Sequence, residues 1–84
     1  MRKGQRPAAD REPFTPAVGE VYRGPSGMKI RCLAIVEDEL PTARLISLGS
    51  GWTFTARAIS QNPDGTIEWW YSYDGKFADE EDTP

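Results

Sequence analysis

Apolar and polar side chains alternate along several short stretches of this sequence, and Gly or Pro interrupts most of the windows between them. Alternation with a period of two is typical of β-strands that bury one face. No segment sustains the three-and-four spacing of apolar residues that an amphipathic helix needs. The pattern therefore predicts an all-β protein with strands at residues 18–23, 28–37, 42–48, 52–60 and 66–73.

Tight turns separate these strands. The sequences G-P-S-G at 24–27, G-S-G at 49–51 and N-P-D-G at 62–65 are rich in the residues that reverse a chain. Five short strands joined in this way predict a single five-stranded antiparallel meander. Such a sheet must hide one apolar face and has no helix to cover it, so we expect it to curl into a small barrel.

The N-P-D-G turn at 62–65 predicts the pairing of the last two strands. Pro in second place and Gly in fourth place are typical of a three-residue hairpin loop, a type I turn followed by a Gly bulge. This loop puts Asn62 opposite Thr66. In the same register Ile59 faces Trp69, Ala58 faces Trp70, Arg57 faces Tyr71, Ala56 faces Ser72 and Thr55 faces Tyr73.

Cross-strand neighbours share a face of the sheet, so this register divides the aromatic residues. Trp70 joins Trp52, Phe54 and two alanines on the predicted core side. The opposite face is the candidate partner-binding site, because Trp, Tyr and Arg dominate interface hot spots. The fifth strand alone favours the reverse orientation, and a bulge that buries both sets is the alternative. The predicted site consists of Trp69, Tyr71, Tyr73 and Arg57.

Two segments resemble a known class of fold. The opening V-G-E-V-Y at 18–22, the meander and the late D-G-T-I-E-W-W-Y-S-Y-D-G-K-F at 64–77 are similar to the SH3-like barrels of small phage- and prophage-encoded proteins. The resemblance covers residues 18–77. It implies an SH3-like barrel and an accessory protein that binds and modulates a host protein.

Length and charge predict how the chain is divided. The 84 residues suffice for one domain, and nine aromatic residues can supply a small core. Four basic residues against two acidic ones mark residues 1–12, and four acidic residues mark 78–84, within a net charge of −3. We expect a disordered basic, Pro-rich arm at 1–16, the barrel domain at 17–77 and a disordered acidic tail at 78–84.

The sequence offers little catalytic chemistry. It has no His and one Cys, so the commonest general base is missing and a zinc site cannot be assembled. We predict no enzymatic activity, no metal and no cofactor. Cys32 lies in the apolar run 32–36, which predicts a buried, inert thiol and is too short for a membrane helix. A cytoplasmic protein without a membrane segment is the expectation.

A protein partner is the leading prediction for what this chain binds. The alternative is single-stranded nucleic acid, since small barrels stack bases on aromatic side chains within a basic groove. Trp69, Tyr71 and Tyr73 would be the platforms, and Arg57, Lys29, Arg31 and the basic arm would add charge. The slightly acidic body argues against it. Assembly through an unpaired edge strand is a third possibility, and the oligomeric state stays open.

Overall fold

A computed structural model describes residues 12–78 of the chain, which form eight β-strands in two antiparallel sheets. The predicted all-β class is confirmed. The strands are β1 Glu12–Pro13, β2 Val21–Arg23, β3 Lys29–Val36, β4 Thr42–Ser47, β5 Trp52–Arg57, β6 Ser60–Gln61, β7 Ile67–Glu68 and β8 Tyr71–Phe77.

The larger sheet is a five-stranded meander in the order β2-β3-β4-β5-β8, and the smaller sheet has the order β1-β6-β7. The prediction of a single five-stranded meander curled into a small barrel therefore holds only in part, because the described residues form eight strands in two sheets and the larger sheet does not close. The predicted fourth strand divides into β5 and β6, and the predicted fifth divides into β7 and β8. The interruption between β5 and β6 lies directly across the hairpin from the interruption between β7 and β8. The base of the hairpin therefore belongs to the larger sheet and its tip belongs to the smaller one.

The hydrophobic core lies between the two sheets. Alternate residues of β3, β4 and β5 point into it, as a period of two requires. A β-bulge between Cys32 and Ala34 interrupts the alternation on β3, so only Ile30 and Cys32 of that strand are buried in the core. The buried hydrophobic residues are Ile30, Cys32, Ala43, Leu45, Phe54, Ala56, Ile59 and Ile67.

Cys32 is almost completely buried, as predicted, and burial raises the pKa of its thiol. The thiol therefore stays protonated near neutral pH, and a protonated thiol is a poor nucleophile.

Residues 12–16 belong to the fold, so the predicted arm at 1–16 was drawn too long. Strand β1 pairs with β6, and the Phe14 amide donates to the Ile59 carbonyl at 3.0 Å. The Phe14 ring stacks edge-on against Tyr22 at 5.4 Å, and Pro16 is buried. Pro13 is tolerated because β1 is an edge strand. Residues 1–11 of the predicted arm and 79–84 of the predicted tail lie outside the described residues.

Candidate functional site

The predicted turn of the hairpin is confirmed, and its predicted register is confirmed except at Ile59–Trp69 and Ala58–Trp70, which do not pair. The Asn62 amide donates to the Thr66 carbonyl at 2.8 Å, the Gly65 amide donates to the Asn62 carbonyl at 3.0 Å, and Gly65 has φ +93°. The Asp64 carboxylate accepts from the amide and hydroxyl of Thr66, and these hydrogen bonds lower the pKa of Asp64. Beyond the turn the pairs are Gln61 with Ile67, Ser60 with Glu68, Arg57 with Tyr71, Ala56 with Ser72 and Thr55 with Tyr73.

The hairpin breaks at Ala58, between the two sets of pairs. Ala58 has φ +63°, a left-handed conformation that non-glycine residues adopt rarely and that turns the chain out of the pleat. The Trp70 amide donates to the Arg57 carbonyl at 3.1 Å, and the Ile59 amide donates to the Pro41 carbonyl at 3.0 Å. These two hydrogen bonds hold the hairpin in place at the break, where the two sheets meet. Because the pleat is interrupted here, residues on either side of Ala58 need not keep the faces that a continuous strand would give them.

The break reverses the predicted positions of the two adjacent tryptophans. Trp70 is 82% exposed, so its assignment to the core was wrong. Trp69 is half-buried and packs against the core, with its ring 5.2 Å from that of Phe54, so its assignment to the outer face was wrong as well. Ile59, predicted on the outer face with Trp69, is buried too. The alternative, a bulge that buries both aromatic sets, is wrong too, because Trp70 stays exposed. The left-handed residue Ala58 and the gap in the pairing between Arg57–Tyr71 and Ser60–Glu68 account for all three positions.

The rest of the predicted patch does face outward. Tyr71 and Tyr73 are 46% and 40% exposed, and their ring centroids lie 6.0 Å apart. The Arg57 guanidinium lies 6.0 Å from the centre of the Tyr71 ring, at the limit of a cation–π contact. The structure therefore brings together Arg57, Tyr71 and Tyr73 and leaves Trp69 apart from them.

Arg57 also makes a two-bond ion pair with Asp38. Its Nε and Nη2 atoms donate to the two carboxylate oxygens at 2.9 and 3.1 Å. The pair holds the pKa of Asp38 at about 2, well below its ordinary value of 3.8. Asp38 lies in the connection between β3 and β4, so the ion pair ties this connection to the end of β5.

Arg44 covers two buried threonines on the outer face of the larger sheet. Its guanidinium donates to Thr55 Oγ1 at 3.0 Å, to Thr53 Oγ1 at 2.9 Å and to the Asp74 carbonyl at 3.0 Å. Thr53 and Thr55 are therefore buried although they lie on the face predicted to be outward. The cluster satisfies buried polar groups and holds β8 against β4 and β5.

An apolar groove lies beside the break in the hairpin. We call it the Trp70 groove; its volume is about 540 Å³. It collects residues from β1, from the connection before β4 and from both strands of the hairpin, so only the folded chain assembles it. The lining residues are Pro13, Leu40, Pro41, Ala58, Ile59, Ser60, Trp69 and Trp70.

The groove is suited to hold an apolar side chain rather than to carry out chemistry. Its walls are proline, aliphatic and indole groups, and the one hydroxyl among the lining side chains belongs to Ser60. Within residues 12–78 there is no group of three or more side chains that could hold a metal ion. Nor does this part of the chain contain a helix long and apolar enough to cross a membrane.

Sequence reasoning missed Pro13, Leu40 and Pro41 as site residues. Pro13 lies in the predicted arm, and Leu40 and Pro41 lie in the connection between the predicted second and third strands. Their approach to Trp70 is set by the pairing of β1 with β6 and by the hydrogen bond from Ile59 to Pro41, contacts between residues far apart in the chain.

Comparison with models of known protein families, with curated proteins and with solved structures finds no significant match to this chain. What the Trp70 groove does is therefore inferred from its own geometry.

Proposed function

We propose that this chain is a non-enzymatic protein-binding module and that the Trp70 groove is its contact surface. The observation that carries this proposal is Trp70 itself, 82% exposed at the edge of an apolar groove. An exposed indole next to an apolar depression is typical of interaction sites, and Trp is the residue type most enriched among hot spots. A partner side chain seated in the groove would cover Trp70 and Pro41 together.

Tyr71 and Tyr73 offer a second aromatic contact on β8, outside the groove. They belong to the site predicted from the sequence and are 46% and 40% exposed. Rigid aromatic side chains lose little conformational entropy on binding, which favours their use as contacts. Trp69 contributes as a wall of the groove, and Arg57 contributes by fixing the connection that carries Leu40 and Pro41.

The biological setting follows from the resemblance to SH3-like phage and prophage proteins. We propose a cytoplasmic accessory protein that acts by binding a host protein. Single-stranded nucleic acid is the less favoured partner, because the connection beside the groove carries Glu37, Asp38 and Glu39, which repel phosphates.

Affinity capture from a bacterial lysate, with and without nuclease, tests the proposal. Wild type is compared with Trp70→Ala and with Trp52→Ala, which removes an indole outside the groove. We expect a specific protein to be retained by wild type and Trp52→Ala, to survive nuclease, and to be lost with Trp70→Ala. Retention by Trp70→Ala would contradict the assignment of the groove, and loss on nuclease treatment would indicate nucleic acid.

A further inference from the structure

The connection that forms one wall of the Trp70 groove carries three successive carboxylates, at residues 37–39. Arg57 neutralises Asp38 through two hydrogen bonds. Glu37 and Glu39 are exposed, and neither side chain has an ion pair or hydrogen bond with any other residue of the 12–78 segment. Two negative charges are therefore left uncompensated next to an apolar groove.

Several contacts hold the segment that carries these carboxylates. Glu37 and Glu39 line a separate depression, which shares Leu40 and Pro41 with the Trp70 groove and so adjoins it. The Thr42 hydroxyl donates to the Leu40 carbonyl at 2.9 Å, and the Ile59 amide donates to the Pro41 carbonyl at 3.0 Å. Together with the ion pair at Asp38, these bonds fix both ends of the short segment. The apolar wall and the negative charge thus form one surface.

We propose that the partner segment is a short apolar stretch of a protein with a Lys or Arg next to its anchoring side chain. The anchor packs against Trp70 and Pro41 in the groove, and the cation meets Glu37 and Glu39 at the rim. This inference rests on the proposed function and names the partner class for the same site. It follows the usual anatomy of an interface, in which an apolar centre supplies affinity and charges at the rim supply specificity.

The charge contribution should be modest and salt-dependent. Exposed ion pairs are weak, so loss of one carboxylate should weaken binding by roughly two- to fivefold and loss of both by roughly three- to tenfold. High salt screens these charges, so most of the difference in affinity between wild type and the carboxylate variants should disappear when the salt concentration is raised. Loss of the Trp70 indole should have a much larger effect, roughly thirtyfold or more, because it removes the anchor contact.

Selection from a random dodecapeptide library displayed on phage tests the inference, with the full 84-residue chain as bait. Clones that bind wild type are rescreened on Trp70→Ala to define the Trp70-dependent set. The recovered peptides are then synthesised, and their dissociation constants are measured for Glu37→Gln, Glu39→Gln, the double variant and the control Glu20→Gln. Glu20 is an exposed carboxylate that does not line the groove.

We expect Trp70-dependent peptides to be enriched in Lys or Arg beside an apolar residue and to lose affinity with the Glu37 and Glu39 variants but not with Glu20→Gln. Trp70-dependent peptides without basic enrichment, or unaffected by the double variant, would overturn the inference and leave the proposed function standing. Peptides that bind Trp70→Ala as well as wild type, or a selection that yields no binder, would count against the proposed function itself.

Discussion

Replacing Trp69 and Trp70 one at a time with alanine separates the two roles that the structure gives to neighbouring indoles. Trp69 packs on Phe54 against the core, whereas Trp70 is 82% exposed. We expect Trp69→Ala to destabilise the fold clearly and Trp70→Ala to leave it nearly unchanged. The register of the hairpin alone gives the opposite expectation, so the pair of variants tests the break at Ala58.

The expected loss of unfolding free energy follows from how far each indole is buried. Removing a fully buried Trp or Phe costs about 3–5 kcal/mol. Because Trp69 is only partly buried, a cost below this range, roughly 2 kcal/mol, is expected for Trp69→Ala. For a domain of this size 1 kcal/mol shifts the melting temperature by about 4–8 °C, which makes the expected decrease roughly 8–16 °C. Trp70→Ala should stay within about 0.5 kcal/mol of wild type, as surface substitutions usually do.

The free energy of unfolding is measured by urea titration followed by far-ultraviolet circular dichroism, since fluorescence would change with each indole removed. Trp52→Ala serves as a third indole variant, located outside the groove. If Trp70→Ala lowered the unfolding free energy as much as Trp69→Ala, the inward and outward assignments would be refuted.

Three further predictions concern the backbone and the ion pair of the larger sheet and its hairpin. Ala58 has φ +63°, so Ala58→Val should lower the unfolding free energy by at least about 1 kcal/mol, whereas Ala58→Gly should leave it unchanged or raise it slightly. Equal losses for the two variants in urea titrations would argue against a strained backbone at this residue. A Cβ at Gly75 would overlap the Trp52 indole, so Gly75→Ala should cost about 1–2 kcal/mol, and a double-mutant cycle with Trp52→Ala should recover most of it. The pKa of Asp38 is depressed to about 2. Its ion pair with Arg57 should therefore stabilise the fold above about pH 4, and this stabilisation should be lost as the pH falls through about 2. The urea midpoints of wild type and Asp38→Asn should differ at pH 6 and converge at about pH 2.

Local chemistry made much of the fold predictable. The strands follow from alternation and turn residues. The N-P-D-G sequence predicted the hairpin turn correctly, together with the pairs Arg57–Tyr71, Ala56–Ser72 and Thr55–Tyr73 beyond the break. The buried thiol of Cys32 followed from its apolar neighbours. These features depend on a few consecutive residues, whose conformational preferences are strong enough to be read directly.

The faces of the hairpin were not predictable in the same way. Inward and outward assignment depends on an uninterrupted pleat, and one residue with positive φ, Ala58, interrupts it. Alanine carries no local signal for that conformation. The break is held by the hydrogen bond of Ile59 to Pro41 and by β1 on the smaller sheet, which are tertiary contacts. For the same reason the groove that gathers Pro13, Leu40 and Trp70 is invisible in the sequence.

The most direct test of the Trp70 groove as the contact surface is a titration followed by nuclear magnetic resonance of the three indole N–H groups, assigned with single Trp→Phe variants. The titrant is the protein captured from lysate or a peptide selected on the full chain. We expect the Trp70 signal to shift most, with a smaller change at Trp69 in the wall and none at Trp52. A shift centred on Trp52, with Trp70 unchanged at saturation, would contradict it.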